Sequence, residues 1–511
     1  MGSAASFELA RTWLDECDKN HHLCKVPSQD ALPLRVVEIQ WGEAKHEPTV
    51  RLTNTTGKLP YAALSYCWGD SSCIEEAKLN NQTRRDWLED IPFSRLPKTL
   101  QDGIITTWKL GLHFLWIDCL CIAQDDDMEK ATEIAKMPQI YRGAYVTISA
   151  ARSKSSDEGF LHDIQVPSIS ASIFKMAYAC PNGRLGSILL FDDSVPQLNE
   201  PINTRGWTLQ EYLLSPRLLI YGVHGLRFDC RKGVRFDNKE AVEETLSLGN
   251  NNKLALLREL PEDFETAREK WAQILVEYSS RTLSHPEDRL LAISGIANYY
   301  SEIVHDEYLA GIWRRDLPAG LMWENIGQLF QRPVRSRAPS WSWAAIDGRV
   351  ESFGQWLLVD PHLSIVSHAT QLVEPTAPFG AVLSGRLTLK GLLREVLWDG
   401  ISLFSMSSTD TGYLATTRED ALLESEFSSS RTGFIAVWCL QIYSFDESTH
   451  RGPSGLILAP DCGQTFKRLG VFSFLDFLVD SKKRDAIFYS RFNLEQREWS
   501  LLSKMQEVVI V

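Results

Sequence analysis

The chain has 511 residues, 44% of them hydrophobic, and a formal net charge of −13 at neutral pH. That length exceeds what a single ordinary core accommodates, so two or three domains are expected. The acidic balance argues against nucleic-acid binding, which needs a basic face, and leaves open a small anionic ligand held by backbone N–H groups.

Ten cysteines are spread along the chain. The N-terminus has no apolar signal core, and no run of 18 or more apolar residues occurs, so a cytoplasmic protein with reduced thiols is expected. Met1-Gly2-Ser3-Ala4-Ala5-Ser6 fits the minimal N-myristoylation pattern, and only a lipid on Gly2 would bring the chain to a membrane. The plain reading of these residues is a short frayed end.

Phe7, Leu9, Ala10, Trp13 and Leu14 share one face at helical spacing. Cys17, His21, His22 and Cys24 follow. Two thiols and an imidazole could ligate zinc, but their spacing matches no common finger and no second Cys/His pair lies nearby. A helical hairpin with thiols in its core is therefore the expectation, with no metal. Residues 33–53 alternate in polarity and suggest an antiparallel strand pair. Residues 1–60 thus form an N-terminal helix with a small β extension.

The next domain, 61–225, opens on Ala62 to Cys67, an apolar strand closed by Trp68-Gly69-Asp70. Residues 71–95 are a polar excursion. Leu100, Ile104, Ile105 and Trp108 mark a helix face, and Gly111 suits the position that ends the helix. Phe114-Leu115-Trp116-Ile117 is continuously apolar and stops at Asp118. A helix is expected over 127–141, shortened or kinked by Pro138. Ala144 to Ile148 is the third strand. Strand, helix, strand, helix, strand argues for an α/β fold with a doubly wound, mostly parallel sheet. In such sheets ligands sit beyond the carboxyl ends of the strands. Trp68-Gly69-Asp70, the run from Asp118 to Asp127, and Ser149 onward all fall there.

In the segment Asn203 to Tyr212, Thr208 could cap a helix with Glu211 three residues later, a capping-box spacing. Pro216 to Tyr221 reads as a strand. Residues 226–335 read as mainly helical, with Trp271, Ile274, Leu275 and Tyr278 on one face. Residues 336–511 read as a β-rich region.

Three blocks share a resemblance. Ala63-Leu64-Ser65-Tyr66-Cys67-Trp68-Gly69-Asp70, Leu115-Trp116-Ile117-Asp118-Cys119-Leu120-Cys121-Ile122-Ala123-Gln124-Asp125-Asp126 and Arg205-Gly206-Trp207-Thr208-Leu209-Gln210-Glu211 resemble the signature blocks of the fungal heterokaryon-incompatibility (HET) domain. Ile140-Tyr141-Arg142-Gly143-Ala144 fits the same family. The resemblance implies a part in fungal non-self recognition and programmed cell death, through self-association or an incompatible partner protein. HET domains are also remotely similar to TIR domains, which implies a TIR-like or flavodoxin-like fold. It implies cleavage of NAD as well, with NAD as substrate and no bound cofactor. Trp207 and Glu211 resemble the Trp-Cys-x-x-Glu segment that holds the TIR catalytic glutamate, with Thr208 in place of the cysteine.

On this reading Glu211 is the catalytic candidate. Its carboxylate would stabilise an oxocarbenium-like ribose when the bond to nicotinamide breaks. Trp68 or Trp207 would stack on a base, and Ser65, Tyr66, Asp70 and Asp118 would hold the substrate. Two alternatives remain open. The domain could be a non-enzymatic signalling and self-association module, or it could serve as an auxiliary enzyme in a biosynthetic pathway. Cys67, Cys119 and Cys121 read as buried small hydrophobes. Asp125-Asp126-Asp127 reads as a solvated loop entering a helix.

Overall fold

The structure is a computed structural model. It describes residues 1–25, 32–42, 46–57, 59–69, 71–163, 173–179, 185–191, 200–223, 225–237, 257–258, 261, 263–352, 362–404, 413–422, 434–444, 451–475, 499 and 502–511. The chain divides into two compact units, Met1–Glu259 and Leu260–Val511.

The first unit is built on an eight-stranded mixed sheet flanked by helices. Its opening helix α1 (Ala4–Asn20) buries Phe7, Ala10, Trp13, Leu14 and Cys17 along one stripe. The end of the chain is tied down rather than frayed. The Gly2 amide donates to the Leu161 carbonyl at 2.9 Å, and the Ser3 hydroxyl caps α1 by accepting from the Ser6 amide. Strands β1 (Arg35–Gln40) and β2 (Thr49–Asn54) form the expected antiparallel pair. Next come β3 (Ala62–Ser65), fully buried, and the short helical turns α2 (Ser71–Ile74) and α3 (Arg84–Trp87).

Helix α4 (Lys98–Lys109) buries Leu100 and Ile104, and Gly111 just beyond its end adopts a φ of 82°, the left-handed conformation a glycine allows. Strand β4 (Phe114–Trp116), the turn α5 (Asp118–Cys121) and helix α6 (Asp127–Gly143) follow. Asp126 caps α6 by accepting from the Glu129 amide at 3.0 Å, as its place in an acidic loop suggests. Pro138 sits inside α6 and does not shorten it. Flanking buried residues, Met137, Ile140 and Tyr141, supply packing that outweighs one missing backbone bond.

The remaining strands of this unit are β5 (Val146–Ser149), the hairpin β6 (Ile173–Ala179) and β7 (Leu185–Phe191), β8 (Arg217–Gly222), β9 (Gly225–Cys230) and β10 (Gly233–Phe236), with α7 (Trp207–Leu214) ahead of β8. The strand order is β10-β9-β8-β5-β3-β4-β1-β2. The inner strands β8, β5, β3 and β4 are parallel, whereas β1, β2, β9 and β10 pair antiparallel. The expectation of a mostly parallel sheet is thus corrected to a parallel core with an antiparallel pair on each edge. Those pairs close edges that would otherwise present unpaired backbone groups. Counted in chain order, the parallel strands lie 2-1-3-4, so the order reverses between β3 and β5.

The second unit begins with α8 (Phe264–Ser279), entered through a capping box of Asp263 and Thr266, and α9 (Leu291–Val304). Residues 226–335, expected to be mainly helical, thus begin with two strands of the first sheet and contain these helices. Two-stranded ladders join β11 (Tyr308–Leu309) to β12 (Ile312–Trp313), and β13 (Trp323–Asn325) to β14 (Val350–Ser352). The β-rich region is a second eight-stranded sheet of β15 (Ser364–Leu372), β16 (Val382–Trp398), β17 (Ser402–Phe404), β18 (Tyr413–Glu419), β19 (Ile435–Tyr443), β20 (Arg451–Pro460), β21 (Thr465–Leu475) and β22 (Lys504–Ile510). Pairing of β16 with β19 closes the path β16-β17-β18-β21-β20-β19 on itself.

On β21 Arg468, fully buried, makes two 3.0 Å bonds to the Asp420 carboxylate and lies 3.5 Å over the Trp323 ring. Among the described residues, no helix is long and apolar enough to cross a membrane.

Candidate functional site

The carboxyl ends of β3 and β4 and the start of α7 converge on one cluster. Ser65 ends β3, Tyr66 and Trp68 lie in the loop after it, and Asp118 opens the helical turn two residues past β4. Glu211 arrives from α7. Its position depends on where that helix begins. Trp207 is the first helical residue and Gly206 the cap, with no side-chain capping bond. Thr208 is therefore not the cap. Its hydroxyl instead donates to the Ile202 and Arg205 carbonyls, at 2.6 and 2.8 Å, and fixes the turn that enters the helix. Glu211 lies past the first turn, out of reach of the capping role its spacing suggested. Its carboxylate accepts from the Ser65 hydroxyl at 2.5 Å.

A second carboxylate stands beside the first. Asp118 accepts from the Tyr66 hydroxyl at 3.0 Å, the Trp68 indole N–H at 2.8 Å and the Cys119 amide at 2.7 Å. Burial pushes the Glu211 carboxyl up from 4.5 to about 7. The Ser65 bond opposes that rise, the Asp118 charge adds to it, and Arg205 and the Tyr141 phenol oppose it. Burial also raises Asp118, against Arg205, the Cys119 amide, Trp68 and Tyr66. Glu211 therefore exchanges its proton near neutrality.

Burial grades the cluster. Ser65, Tyr66, Tyr141 and Glu211 form its floor, with Glu211 only 6% exposed. Trp68, Asp118, Arg205 and Trp207 are part-exposed and form a rim. Trp207 is four residues ahead of Glu211 and so shares its helix face. The Lys78 ammonium lies 5.5 Å over the Trp68 ring. Gly69 shapes the loop: its φ is 76°, and a Cβ there would come within 2.4 Å of the Ser155 Cβ.

Of the seven residues singled out from sequence, Ser65 and Glu211 meet directly. Tyr66 and Trp68 meet on Asp118, and Trp207 sits one turn ahead of Glu211. Asp70 lies outside the described residues. Two members were missed, although both lie inside quoted blocks. Arg205 donates to the Tyr66 carbonyl at 3.0 Å, and Tyr141 donates to the Leu64 carbonyl at 3.1 Å. Their place inside those blocks was the available signal.

The nearby thiols are poor nucleophiles. Burial pushes Cys67 up to about 11 and Cys121 up to about 12, and raises Cys119 well above its ordinary value, so all three stay protonated. The cysteines with described side chains are all free of disulfides. Near this site Arg35, itself buried, donates to the Cys121 carbonyl at 3.1 Å, and Glu129 pairs with both Arg35 and Arg84.

Residues 61–211 match the family described as "Heterokaryon incompatibility protein (HET)". A stretch of the chain is 35% identical over 96 residues to "Heterokaryon incompatibility protein 6, OR allele" of Neurospora crassa, covering 17% of this chain and 14% of that protein. No solved structure matches the chain.

Proposed function

Because the chain is a HET-domain protein, with the domain at residues 61–211, we propose that it acts in fungal heterokaryon incompatibility and that its site cleaves NAD. The observation that carries the second part is Glu211, a buried carboxylate held by Ser65 at the carboxyl end of β3, with its proton affinity raised to about 7. The 2-1-3-4 order of the parallel core also supports a TIR-like relationship. Ser65 ends β3, which borders the reversal of strand order, the region where open α/β sheets bind ligands.

In the reaction the bond from ribose C1′ to the nicotinamide nitrogen breaks, and its electron pair leaves with nicotinamide. The ionised Glu211 carboxylate stabilises the positive charge left on the ribose. Water adds to C1′ and releases a proton, giving ADP-ribose. Ser65 orients Glu211. Asp118, held by Tyr66 and Trp68, faces the ribose hydroxyls. Arg205 offers a cation to a phosphate, and the rim indoles of Trp68 and Trp207 offer flat faces to a base. With Glu211 on the floor, substrate enters by displacing a rim ring.

Burial of that floor favours a second reading, in which the Ser65–Glu211 bond locks α7 against β3 in a non-enzymatic signalling module. One experiment separates the two. Purified full-length protein, at high concentration to allow self-association, is incubated with NAD and free nicotinamide is measured. Release that falls at least about 100-fold in Glu211→Ala supports the hydrolase. No release by the unaltered protein, with cell death in a fungal host unchanged by Glu211→Ala, refutes it.

A further inference from the structure

At the far edge of the first sheet, four side chains converge that the NAD-cleavage reading leaves unused. Cys17, His21, Cys24 and Cys230 place one donor atom each, three sulfurs and an imidazole nitrogen, all within 4.8 Å of one another. Three of these residues, Cys17, His21 and Cys24, were readable as a local group of two thiols and an imidazole, although the spacing argued against a metal. The fourth ligand was invisible in sequence because it comes from the opposite end of the unit, at the end of β9.

We propose that these four residues bind a structural zinc ion. The chemistry of the set fits. Three thiolates and one imidazole with no carboxylate make a closed tetrahedral zinc site. In such a tetrahedron, with Zn–S near 2.3 Å and Zn–N near 2.1 Å, sulfur and nitrogen stand about 3.6 Å apart. Cys230 Sγ and His21 Nδ1 are 3.4 Å apart.

The local backbone presents the donors. Cys17 is in the last turn of α1 and His21 is its C-cap, four residues on and therefore on the same face. The chain then turns through a short helical turn, His22–Cys24, which returns Cys24 to the cluster. Cys230 opens the tight turn between β9 and β10, closed by Gly233 with a φ of 153°.

The Lys232 amide points at Cys230 Sγ from 3.5 Å, as amides do around metal-bound sulfur. Three thiolates and a divalent ion leave one negative charge. The Arg217 guanidinium, shared with Asp18, lies 1% exposed beside Cys17. Its Nε is buried without a hydrogen-bond partner among the described residues. The ion would staple α1 to the sheet edge. The same junction is held by Trp13 stacked 6.2 Å from Phe228, by Asp18 paired with Arg217 at 2.7 Å, and by Glu16 paired with Arg235. With every coordination position filled by protein, the site has no opening for substrate, so its role is to hold structure.

The test uses the full-length chain, purified under reducing conditions without chelator, and measures metal by mass spectrometry. About one zinc per chain is expected. Cobalt substituted for zinc should show thiolate charge-transfer absorption and the intense visible bands of a tetrahedral ion. Cys24→Ser and Cys230→Ser should each lose most of the metal, while Cys462→Ser, an exposed thiol of the second unit, should retain it. If the serine variants fail to fold, His21→Cys decides, because a four-sulfur site keeps the metal and shifts the cobalt bands. Three results would overturn the proposal: no uptake by the reduced protein titrated with zinc, unchanged stoichiometry in Cys230→Ser, or unshifted cobalt bands in His21→Cys.

Discussion

Replacing Glu211 with Gln keeps the shape of the side chain and removes its ionisation, so it isolates the energetic effect of a buried carboxylate. In the unfolded chain this acid titrates at its ordinary 4.5; in the folded protein it titrates at about 7. Below pH 4.5 both states are protonated and the group contributes its full share to stability. Between 4.5 and 7 the unfolded chain releases a proton the folded protein retains, so stability falls as pH rises. Above 7 the loss is complete and amounts to about 3 kcal/mol, with no reduction for solvent screening because the carboxylate is buried. Urea unfolding of the unaltered protein and of Glu211→Gln, followed across pH 4.5 to 8, should show the variant gaining about 3 kcal/mol relative to its parent over that interval. Glu200 and Asp316, also pushed up to about 7 by burial, are present in both proteins and cancel in the difference. The repulsion from the Asp118 charge is already contained in that shift. A difference that stays flat with pH to within about 0.5 kcal/mol would refute the argument.

Three further outcomes follow from the geometry. Ser65→Ala removes the bond that holds Glu211 ionised, so the midpoint of the pH–activity curve for nicotinamide release should move upward by about one pH unit. Gly69→Ala should destabilise the first unit by well over about 1 kcal/mol, because a Cβ meets Ser155. Gly57→Ala has a similar φ but open space around it, and should lower the melting temperature less. Asp420→Ala leaves the Arg468 guanidinium buried without its carboxylate and should destabilise the second unit by about 3–5 kcal/mol in denaturant unfolding.

Much of the parallel core was legible because its strands are continuous apolar runs that end at polar residues. Ala62 to Ser65 and Phe114 to Trp116 each stop where the chain leaves the sheet, and so Ser65 and Asp118 could be assigned to one edge. The edge strands were harder. The pairs of β1 with β2 and of β9 with β10 are local, and local pairing says nothing about which long-range neighbour a hairpin joins. The same limit hid Cys230 from Cys17 and Cys24. Helix boundaries misled in two places. Pro138 is tolerated inside α6 by packing around it, and α7 starts at Trp207, ahead of the residue whose chemistry suits a cap. That shift of start changes Glu211 from a group that would satisfy its own helix into one that reaches across to Ser65.

The stability of Glu211→Gln also bears on what the carboxylate is for. If Glu211 only locked α7 against β3, its natural form would be the one that stabilises the fold best, and replacing it would weaken the lock. The burial that raises its proton affinity argues the other way. Above pH 7 the ionised group is held where water does not solvate it, against a neighbouring Asp118 charge, with Ser65, Arg205 and Tyr141 compensating only in part. A neutral amide in that place avoids the penalty. A residue that lowers stability at neutral pH is expected where activity requires it, as in the stability–activity trade-off of strained sites. Glu211→Gln that is more stable than its parent at pH 8 and releases no nicotinamide would join both halves of the hydrolase reading. Glu211→Gln that is less stable at pH 8, in a protein that leaves NAD intact, would assign the carboxylate to the lock.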